Sequence, residues 1–564
     1  MARLDRLAPV REIAQIAAAI GREFSYPLVR ALVGRDESAL KHGLAQLEQA
    51  ELVFRRGEPP EAIYSFKHAL VRDAAYESLL KSRRQQLHGQ IARALEQSFA
   101  DIVASQPEIV AHHFTEAGLV EPAIDYWLKA GNLALSRSAN VEAVKHLRQG
   151  MELMQFQARS PQRLRKELDF YLALGPAMAA TEGFAKPQTW GVFSHARDLL
   201  GDGGTLTEQM TVLWGTYLSH SMQAEHNAAL KVARQLVALA AHHEHWGFSA
   251  LGNRFAGQTL NFMGAFVDAR LHLERALDLC AANRETIAAY RKYGTDDQAT
   301  ALAFLASTLL LLGYPEQSAT TAEQAVSCAR AIGLAFTIGM TLSQAAFLGT
   351  LGGDPQRAAA YADETIAYCV KHGLADPAHR AHFTQGALLA QSGDPQRGIE
   401  LMGNAMVAAE RRTMYLGHVA SARLRLNQPE IGLDLLDEAI KTVELTNERF
   451  FEPELYRLQG NMLLTLGKRG EAEARLRRAL TTAQQQQARW WELRAATSLA
   501  KHWQHEGKYL EACSLLQPVY GWFVEGFDMA ALKDAKALLD ELRNIRPVTS
   551  STPVVPVANL HSEY

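Results

Sequence analysis

Cysteine is scarce in this sequence, with four residues in 564 and no two of them close together. No CxxC motif or zinc knuckle can therefore form. Each cysteine stands in an apolar helical pattern, which predicts a buried free thiol. Free thiols suit a reducing cytoplasm. The four residues are Cys280, Cys328, Cys369 and Cys513.

Long apolar runs and an excess of one charge are also missing. The longest apolar run, Leu309–Leu312 with its alanine-rich flanks, is far short of the ~20 residues that span a bilayer. The first residues carry no apolar stretch typical of a signal peptide. The formal net charge of -3 and pI of about 6.7 give no overall case for nucleic acid or an anionic membrane. We expect a soluble cytoplasmic protein with no membrane partner.

Catalytic motifs are absent as well. The sequence has no Gly-x4-Gly-Lys-Ser/Thr phosphate loop and no Gly-x-Ser-x-Gly elbow. Gly467-Lys468 is followed by Arg469 and lacks the matching glycine, so it cannot cradle a triphosphate. No Cys–His arrangement can be argued from spacing. We therefore expect a non-enzymatic chain with no cofactor.

What the sequence does contain is a repeat. The sequence Gly-Asp-Pro-Gln-Arg occurs at 353–357 and again at 393–397, a separation of 40 residues. Small residues that begin an apolar helical stripe recur at a similar step, and most have another small residue twelve positions earlier. Two antiparallel helices can approach closely only where side chains are small, so this pattern predicts stacked helical hairpins. The stripes begin at Ala228, Ala269, Ser318, Ala358, Gly398, Gly432, Ala472 and Ala512.

This pattern resembles the tetratricopeptide repeat, most clearly over 126–154 and 454–483. The step near 40 resembles the longer-helix variety of MalT-like bacterial regulators. The predicted fold is all-α, a tetratricopeptide-type helical-hairpin superhelix over 101–545. The segment 546–564 contains three prolines with Ser, Thr and Val, and we expect it to be disordered.

The first hundred residues follow another pattern. Three helices are predicted at 11–20, 25–33 and 36–50, then strands at 52–56 and 62–66 joined by a Gly-Pro turn, then one long helix over 69–99. Three helices with a two-stranded wing predict an N-terminal winged-helix module over 1–100.

Four stretches together resemble the carboxy-terminal part of large bacterial signalling proteins. Those proteins join a class III adenylate/guanylate cyclase domain, a STAND-type ATPase and a tetratricopeptide region. The sequence departs from them because the cyclase and ATPase motifs are absent. The expectation is a truncated product, a mis-assigned start or a stand-alone regulatory subunit. The stretches are Ala18–Tyr26 (AAIGREFSY), Ala50–Gly57 (AELVFRRG), Phe66–Tyr76 (FKHALVRDAAY) and Glu454–Gly460 (ELYRLQG).

His68 lies in the most specific of these stretches. In the related ATPases a winged-helix histidine contacts the β-phosphate of bound ADP, and the resemblance implies this role for His68 if an ATPase partner is present. The alternative is a structural histidine that caps the following helix.

Basic and histidine clusters allow further sites, each with an ordinary alternative. Lys81, Arg83 and Arg84, with Arg55 and Arg56 on the wing, could contact DNA phosphates, but Glu48 and Glu51 repel them, so DNA is not the expected partner. The segment His242-His243-Glu244-His245 is not a metal motif, because consecutive histidines on a helix point about 100° apart and cannot chelate together. His379 and His382 lack a third ligand. We expect no metal.

Binding is the function that remains. In tetratricopeptide arrays the first helix of each hairpin lines the inner groove, and arginine and aromatic residues there suit a peptide, an acidic segment or a small effector. The expected groove residues are Tyr217, His220, Leu251, Arg254, Gln258, Asn261, Phe347, Arg380, Phe383, Arg457 and Asn461.

Three functions are compatible with these observations. The favoured one is a regulatory, partner-sensing scaffold of a bacterial signalling system. The second is a component that completes an ATPase or cyclase supplied by another chain. The third is a winged-helix DNA-binding regulator.

Overall fold

The computed structural model describes residues 10–34, 36–137, 139–182, 186–201, 203–283, 295–352, 354–405 and 411–544. Two compact units divide the chain, Met1–Gly215 and Thr216–Tyr564. The predicted boundary near residue 100 is a different division and stays a prediction. The predicted disordered tail lies outside the described residues.

The N-terminal unit begins with helices around a three-stranded antiparallel sheet of order β1-β3-β2. The bounds are α1 Arg11–Ile20, β1 Glu23–Ser25, α2 Tyr26–Val33, α3 Glu37–Gln49, β2 Val53–Arg56, β3 Ile63–Phe66, α4 Ala69–Glu77 and α5 Lys81–Ser98.

Side-chain caps explain where α2 and α3 begin. Ser25 accepts a hydrogen bond from Leu28 N, and Asp36 accepts one from Ser38 N, so each side chain caps the helix it precedes. The three predicted helices and two strands are confirmed. Strand β1 was not predicted, because only three residues pair with β3.

The predicted single helix over 69–99 is wrong. It is interrupted between α4 and α5, where Leu80 has the extended ψ of 146°. Ser78 Oγ donates a hydrogen bond of 2.7 Å to Ala75 O, which offers the backbone carbonyl a partner other than the next helical turn.

Helices alone form the rest of this unit. In the hairpin of α8 and α9, a Cβ atom on Gly131 would lie 2.5 Å from Leu147 Cδ2, so this position requires glycine for close packing. The bounds are α6 Ala100–Ser105, α7 Pro107–Glu116, α8 Val120–Ser136, α9 Asn140–Met154, α10 Pro161–Glu182, α11 Pro187–Leu200 and α12 Leu206–Met222, which contains the unit boundary.

The C-terminal unit is a succession of helical hairpins. The bounds are α13 His226–His242, α14 Trp246–Phe262, α15 Phe266–Ala282, α16 Asp297–Leu312, α17 Pro315–Ile332, α18 Ala335–Phe347, a 3-10 turn Leu348–Leu351, α19 Pro355–His372, α20 Ala375–Ser392, α21 Pro395–Ala405, α22 Arg412–Arg425, α23 Pro429–Thr446, α24 Glu452–Thr465, α25 Arg469–Gln485, α26 Arg489–His505, α27 Tyr509–Gly521 and α28 Ala530–Asn544.

The predicted small-residue contacts are present, and a helix begins within each of the two Gly-Asp-Pro-Gln-Arg copies. Asp354 accepts a hydrogen bond from Gln356 N, and Asp394 accepts one from Arg397 N, each just before a helix that begins with proline. A Cβ atom on Gly386 would lie 2.8 Å from Gly398 O, so the two helices of this hairpin meet backbone to backbone. The all-α helical-hairpin fold is thereby confirmed.

Inner and outer helices differ in burial. Almost every side chain of α14 and α16 is buried, whereas the neighbouring α15 and α17 each bury one stripe. A helix buried on all sides must be surrounded by other helices. The inner helices therefore form the core of this unit.

Contacts between distant hairpins close this core. The amides of Arg449 and Phe450 both donate to Phe262 O, at 2.8 and 3.0 Å. Trp490 Nε1 donates to Leu351 O at 2.7 Å, across 139 residues of sequence. Part of the inner surface of this unit is thus packed against distant hairpins.

Two further expectations concern thiols and membranes. Cys280 and Cys369 are buried as predicted, and burial raises the pKa of both thiols, that of Cys369 to about 11. The prediction is wrong for Cys328 and Cys513, which are only partly buried. None of the helices in the described ranges is long and apolar enough to cross a membrane.

Candidate functional site

A cavity of about 360 Å³ opens on the inner side of the C-terminal unit. Successive inner helices α20, α22, α24 and α26, the 3-10 turn and α28 surround it. Its size lies within the range of about 300–1,000 Å³ that ligand sites occupy. The lining residues are Gly349, Thr350, Gly352, Pro355, Gln391, His418, Ser421, Arg425, Phe451, Glu454, Arg457, Leu458, Arg494, Thr497, Ser498, Lys501, Ala530, Ala531 and Asp534.

Two arginines converge on one carboxylate in this cavity. Arg457 donates to Glu454 through Nε at 2.7 Å and through Nη2 at 2.6 Å, one helical turn away on α24. Arg494 Nη2, on α26, donates to Glu454 Oε1 at 2.8 Å. Arg457 Nη1 also reaches Ser498 Oγ at 3.2 Å. The second arginine leaves the trio with a positive charge that Glu454 does not balance.

The electrostatics of the trio follow from burial and pairing. Burial opposes ionisation of Glu454, but Arg457 and Arg494 outweigh it and hold the pKa of Glu454 below its ordinary value. Burial lowers the pKa of Arg494, and Glu454 offsets this only in part. Arginine stays charged in proteins. The site therefore keeps one anion and two cations at neutral pH.

Charge is unbalanced over the whole cavity. Arg425 and Lys501 add two cations at exposed positions of the lining, and Asp534 adds one carboxylate. Four cations thus face two carboxylates. Arginine forks recognise carboxylate and phosphate oxygens through paired hydrogen bonds, so the cavity suits an anionic group.

His418 contributes a neutral ring to the same wall. His418 is 9% exposed. Its ring packs against those of Phe383 and Phe451, with centroid distances of 5.9 and 5.4 Å. Burial lowers its pKa to about 4, and the nearby Glu454 does not offset this. Its Nε2 atom has no hydrogen-bond partner among the described residues. A buried polar atom of this kind can serve a ligand that enters the cavity.

The predicted groove residues on α14 are instead packed into the core. Arg254 is 4% exposed, and its Nε donates to the buried Asp297 at 2.6 Å. Its Nη1 reaches Gln258 Oε1 at 3.3 Å. Asn261 Nδ2 donates to Thr308 Oγ1 at 2.7 Å, and Leu251 is buried. The expectation of an open groove face does not hold here, because α16 covers this side of α14.

The predicted aromatic groove residues are covered in the same way. The Tyr217 ring stacks on Phe255 at 3.7 Å between centroids, and its hydroxyl is 3.0 Å from Thr259 Oγ1. Phe383 packs 4.1 Å from Tyr415, and Phe347 lies 4.5 Å beneath the Arg411 guanidinium. All three side chains are buried, so the prediction that they lie on an exposed groove surface is wrong.

The other predicted groove residues are more accessible. Arg457 lines the cavity. His220 is half-buried, with Nδ1 2.5 Å from Glu225 Oε2, and Arg380 is half-buried with Nη1 3.5 Å from Met340 Sδ. Asn461 is half-buried on α24. Of the predicted set, the structure places only Arg457 in the cavity lining, and partner binding by the others stays a prediction.

The N-terminal candidates lie in the other unit. His68 is exposed just before α4, and its side chain makes no capping hydrogen bond, so the capping interpretation is wrong. Arg55 pairs with Glu58 at 2.9 Å and with Glu48 at 3.6 Å. Arg84 donates to Leu79 O at 3.0 Å. Carboxylates and carbonyls thus occupy part of the predicted basic cluster.

The histidine clusters have local roles. His245 accepts a hydrogen bond from Phe248 N at 3.4 Å, so it caps α14. His382 Nδ1 lies 2.8 Å from Ala378 O one turn earlier.

Sequence reasoning missed several cavity residues, among them Glu454, Arg494 and His418. A signal was available, because Arg494 follows Glu454 by 40 residues, the step of the repeat. Residues at equivalent positions of successive inner helices lie side by side, so an acidic and a basic residue one step apart predict an ion pair across two hairpins.

No family model matches this chain. An uncharacterized protein of Rhizobium meliloti (strain 1021) is 24% identical over 526 residues, which is 89% of this chain and 49% of that protein. The chain therefore spans about half the length of this curated relative.

Solved structures with similar helical arrays share little sequence with the chain. The Rap protein complexed with competence and sporulation factor is 12% identical, with 64% of this chain and 98% of that chain covered and a TM-score of 0.48. The APC/C hetero-tetramer Cut9–Hcn1 is 11% identical, with 83% of this chain and 85% of that chain covered and a TM-score of 0.44. A STAND protein with a tetratricopeptide repeat sensor from Pyrococcus horikoshii is 13% identical, with coverage of 76% and 65% and a TM-score of 0.34.

Proposed function

We propose that the chain is a regulatory interaction scaffold whose cavity binds the anionic part of a peptide or small effector. The observation that carries this proposal is the convergence of Arg457 and Arg494 on the single carboxylate of Glu454 inside an open cavity. Arg457 and Arg494 are partly buried and share the Glu454 carboxylate, so their charge is only partly neutralised, and an incoming carboxylate or phosphate adds a further anion.

The polar groups that line the cavity support ligand binding rather than a structural ion pair alone. Ser421, Ser498 and Thr350 bring hydroxyl groups to the same lining, and the His418 ring adds an unpartnered nitrogen. Polar groups that converge on one cavity are typical of ligand sites.

The wider role we propose is that of a sensor in a bacterial signalling system. The support is the resemblance of four sequence stretches to the sensor half of adenylate cyclase–ATPase proteins. Within this proposal, α1–α3 with β2 and β3 form a winged-helix module, and His68 faces the nucleotide of an ATPase partner. The exposed position of His68 before α4 is compatible with such a contact.

The test is a binding screen against the full chain with charge-reversal variants. Fluorescently labelled peptides rich in Asp, Glu or phosphoserine are titrated and followed by fluorescence polarisation. Arg425→Glu and Lys501→Glu change exposed positions of the lining, so folding should be retained. We expect at least a tenfold loss of affinity in each, and weaker binding at higher salt.

Lys441→Glu is the matched control, because Lys441 is exposed on the outer helix α23 and is not part of the lining. It should bind like the unmodified chain. A ligand whose affinity is the same in Arg425→Glu, Lys501→Glu and Lys441→Glu would contradict the proposed site.

A further inference from the structure

A second cluster of side chains joins α25, α26 and the turn after α26. Glu473, His502 and Glu506 each offer one possible ligand atom, and these atoms all lie within 4.8 Å of one another. His502 Nε2 is 3.5 Å from Glu506 Oε1 and 4.0 Å from Glu473 Oε2. None of the three lines the cavity described above.

Each carboxylate of this cluster is held through its other oxygen. Trp503 Nε1 donates to Glu473 Oε1 at 3.0 Å, and Arg477 Nη2 lies 2.8 Å from the same atom. Lys508 Nζ donates to Glu506 Oε2 at 2.7 Å and lies 4.0 Å from Glu473 Oε2. The partners of metal ligands fix carboxylates in this way, with one oxygen engaged and the other turned toward the ion.

The buried His502 side chain provides independent evidence for a bound ion. Its side chain is 3% exposed, yet Nε2 has no hydrogen-bond partner in the part of the chain that the structure describes. The two facing carboxylate oxygens are too far for a good hydrogen bond. An unpartnered buried nitrogen directed between two carboxylate oxygens is satisfied by a cation that bridges all three atoms.

We propose that Glu473, His502 and Glu506 bind one divalent transition-metal ion of the zinc class. An imidazole nitrogen and two carboxylate oxygens form a ligand set that zinc accepts, with water in the fourth position. Zinc distances of about 2.0–2.2 Å place ligand atoms about 3.3 Å apart, so the present separations close by at most about 1.5 Å. The site is separate from the proposed anion cavity.

Charge and position set the expected strength and effect. Lys508 and Arg477 partly neutralise the two carboxylates, so binding is weaker than in a site without neighbouring cations. The ion joins α25 to the turn after α26, and it therefore stabilises the packing of these two helices against local opening.

The test is a titration of the full chain, freed of metal by chelation and dialysis, with zinc chloride at pH 7 in a calorimeter. We expect one equivalent to bind, and at least a tenfold loss of affinity in His502→Ala and in Glu506→Gln. His505→Ala is the matched control, since His505 is exposed on the same helix and outside the cluster. It should keep the affinity. Amide exchange in the turn after α26 should slow when zinc is added.

Circular dichroism checks that the variants fold. If His502→Ala does not fold, Glu506→Gln decides, because it is nearly isosteric at a half-buried position. Absence of zinc binding in the unmodified chain overturns the proposal. Equal affinity in the unmodified chain and Glu506→Gln, or loss of binding in His505→Ala, overturns it as well.

Discussion

Arg254 and Arg457 occupy the same position in two hairpins of the C-terminal unit, three residues before the glycine at which the hairpin packs. Arg254 meets one carboxylate, Asp297, and is enclosed by the core. Arg457 shares its carboxylate, Glu454, with Arg494 and lies beside a cavity.

The difference shows how one repeat position can serve either stability or binding. A balanced, enclosed ion pair has no capacity left for a ligand, whereas two cations on one anion beside open space can accept another anion. The repeat position determines where the arginine side chain begins, and residues of the neighbouring hairpin determine whether its charge is fully paired.

The largest expected effect comes from removing the two arginines. Arg254→Ala leaves Asp297 buried without its partner, and burial already raises the pKa of this carboxyl. We expect a loss of about 3–5 kcal/mol in the local unfolding free energy. In Arg457→Ala, Glu454 keeps Arg494, and we expect a loss of about 2 kcal/mol.

Amide hydrogen exchange of α14 and α24 measures the two values separately. Asp297→Asn in the Arg254→Ala chain removes the unpaired charge and should recover part of the loss. Equal losses in the two single variants would remove the distinction between the enclosed and the open arginine.

The next effect tests whether the two hairpins share one framework. A Cβ atom on Gly257 would lie 2.6 Å from Leu273 Cγ, and one on Gly460 would lie 2.6 Å from Leu476 Cγ. Gly257→Ala and Gly460→Ala should therefore destabilise their hairpins equally, by about 1–3 kcal/mol.

Gly470→Ala is the control, since a Cβ atom there meets nothing within 4 Å in an exposed helix. It should be neutral or stabilising by up to about 1 kcal/mol. A clear difference between the two packed glycines would mean that the hairpins differ in packing as well as in charge.

The smallest expected effect concerns pH at the cavity. Burial lowers the pKa of His418 from 6.5 to about 4. Between these values the unfolded state binds more protons than the folded state, so stability falls as pH falls through this window. At pH 5.5 we expect α22 to lose about 1 kcal/mol of local stability relative to pH 7.5.

Exchange of α22 amides at the two pH values, corrected for intrinsic rates, measures this loss. His418→Phe keeps the ring between Phe383 and Phe451 and should abolish the His418 contribution. If α22 lost the same amount of stability between the two pH values in His418→Phe, the pH dependence would come from other groups.

The hairpins were predictable because they depend on local patterns. Small residues at a fixed step and helix-starting prolines such as Pro355 and Pro395 act within one hairpin. The burial of Arg254, Tyr217 and Phe383 was not predictable in this way, because it depends on side chains contributed by other hairpins.

The two sites differ in the same respect. Arg457 was predicted from its repeat position, but the cavity beside it depends on α28 and on the 3-10 turn that replaces the end of α18. The cluster of Glu473, His502 and Glu506 has an irregular spacing of 29 and 4 residues, which no motif describes. It forms only because α25 and α26 pack side by side.

The hydrogen bonds between distant hairpins have a consequence for how this protein can change in evolution. An array whose repeats touch only their neighbours can gain or lose one repeat and remain intact. Here Phe262 O must meet the amides of Arg449 and Phe450, and Leu351 O must meet Trp490. Inserting or deleting one hairpin between these points would misalign both contacts. The two contacts therefore constrain the number of hairpins between their partners, and each can form only after both partners have been synthesised.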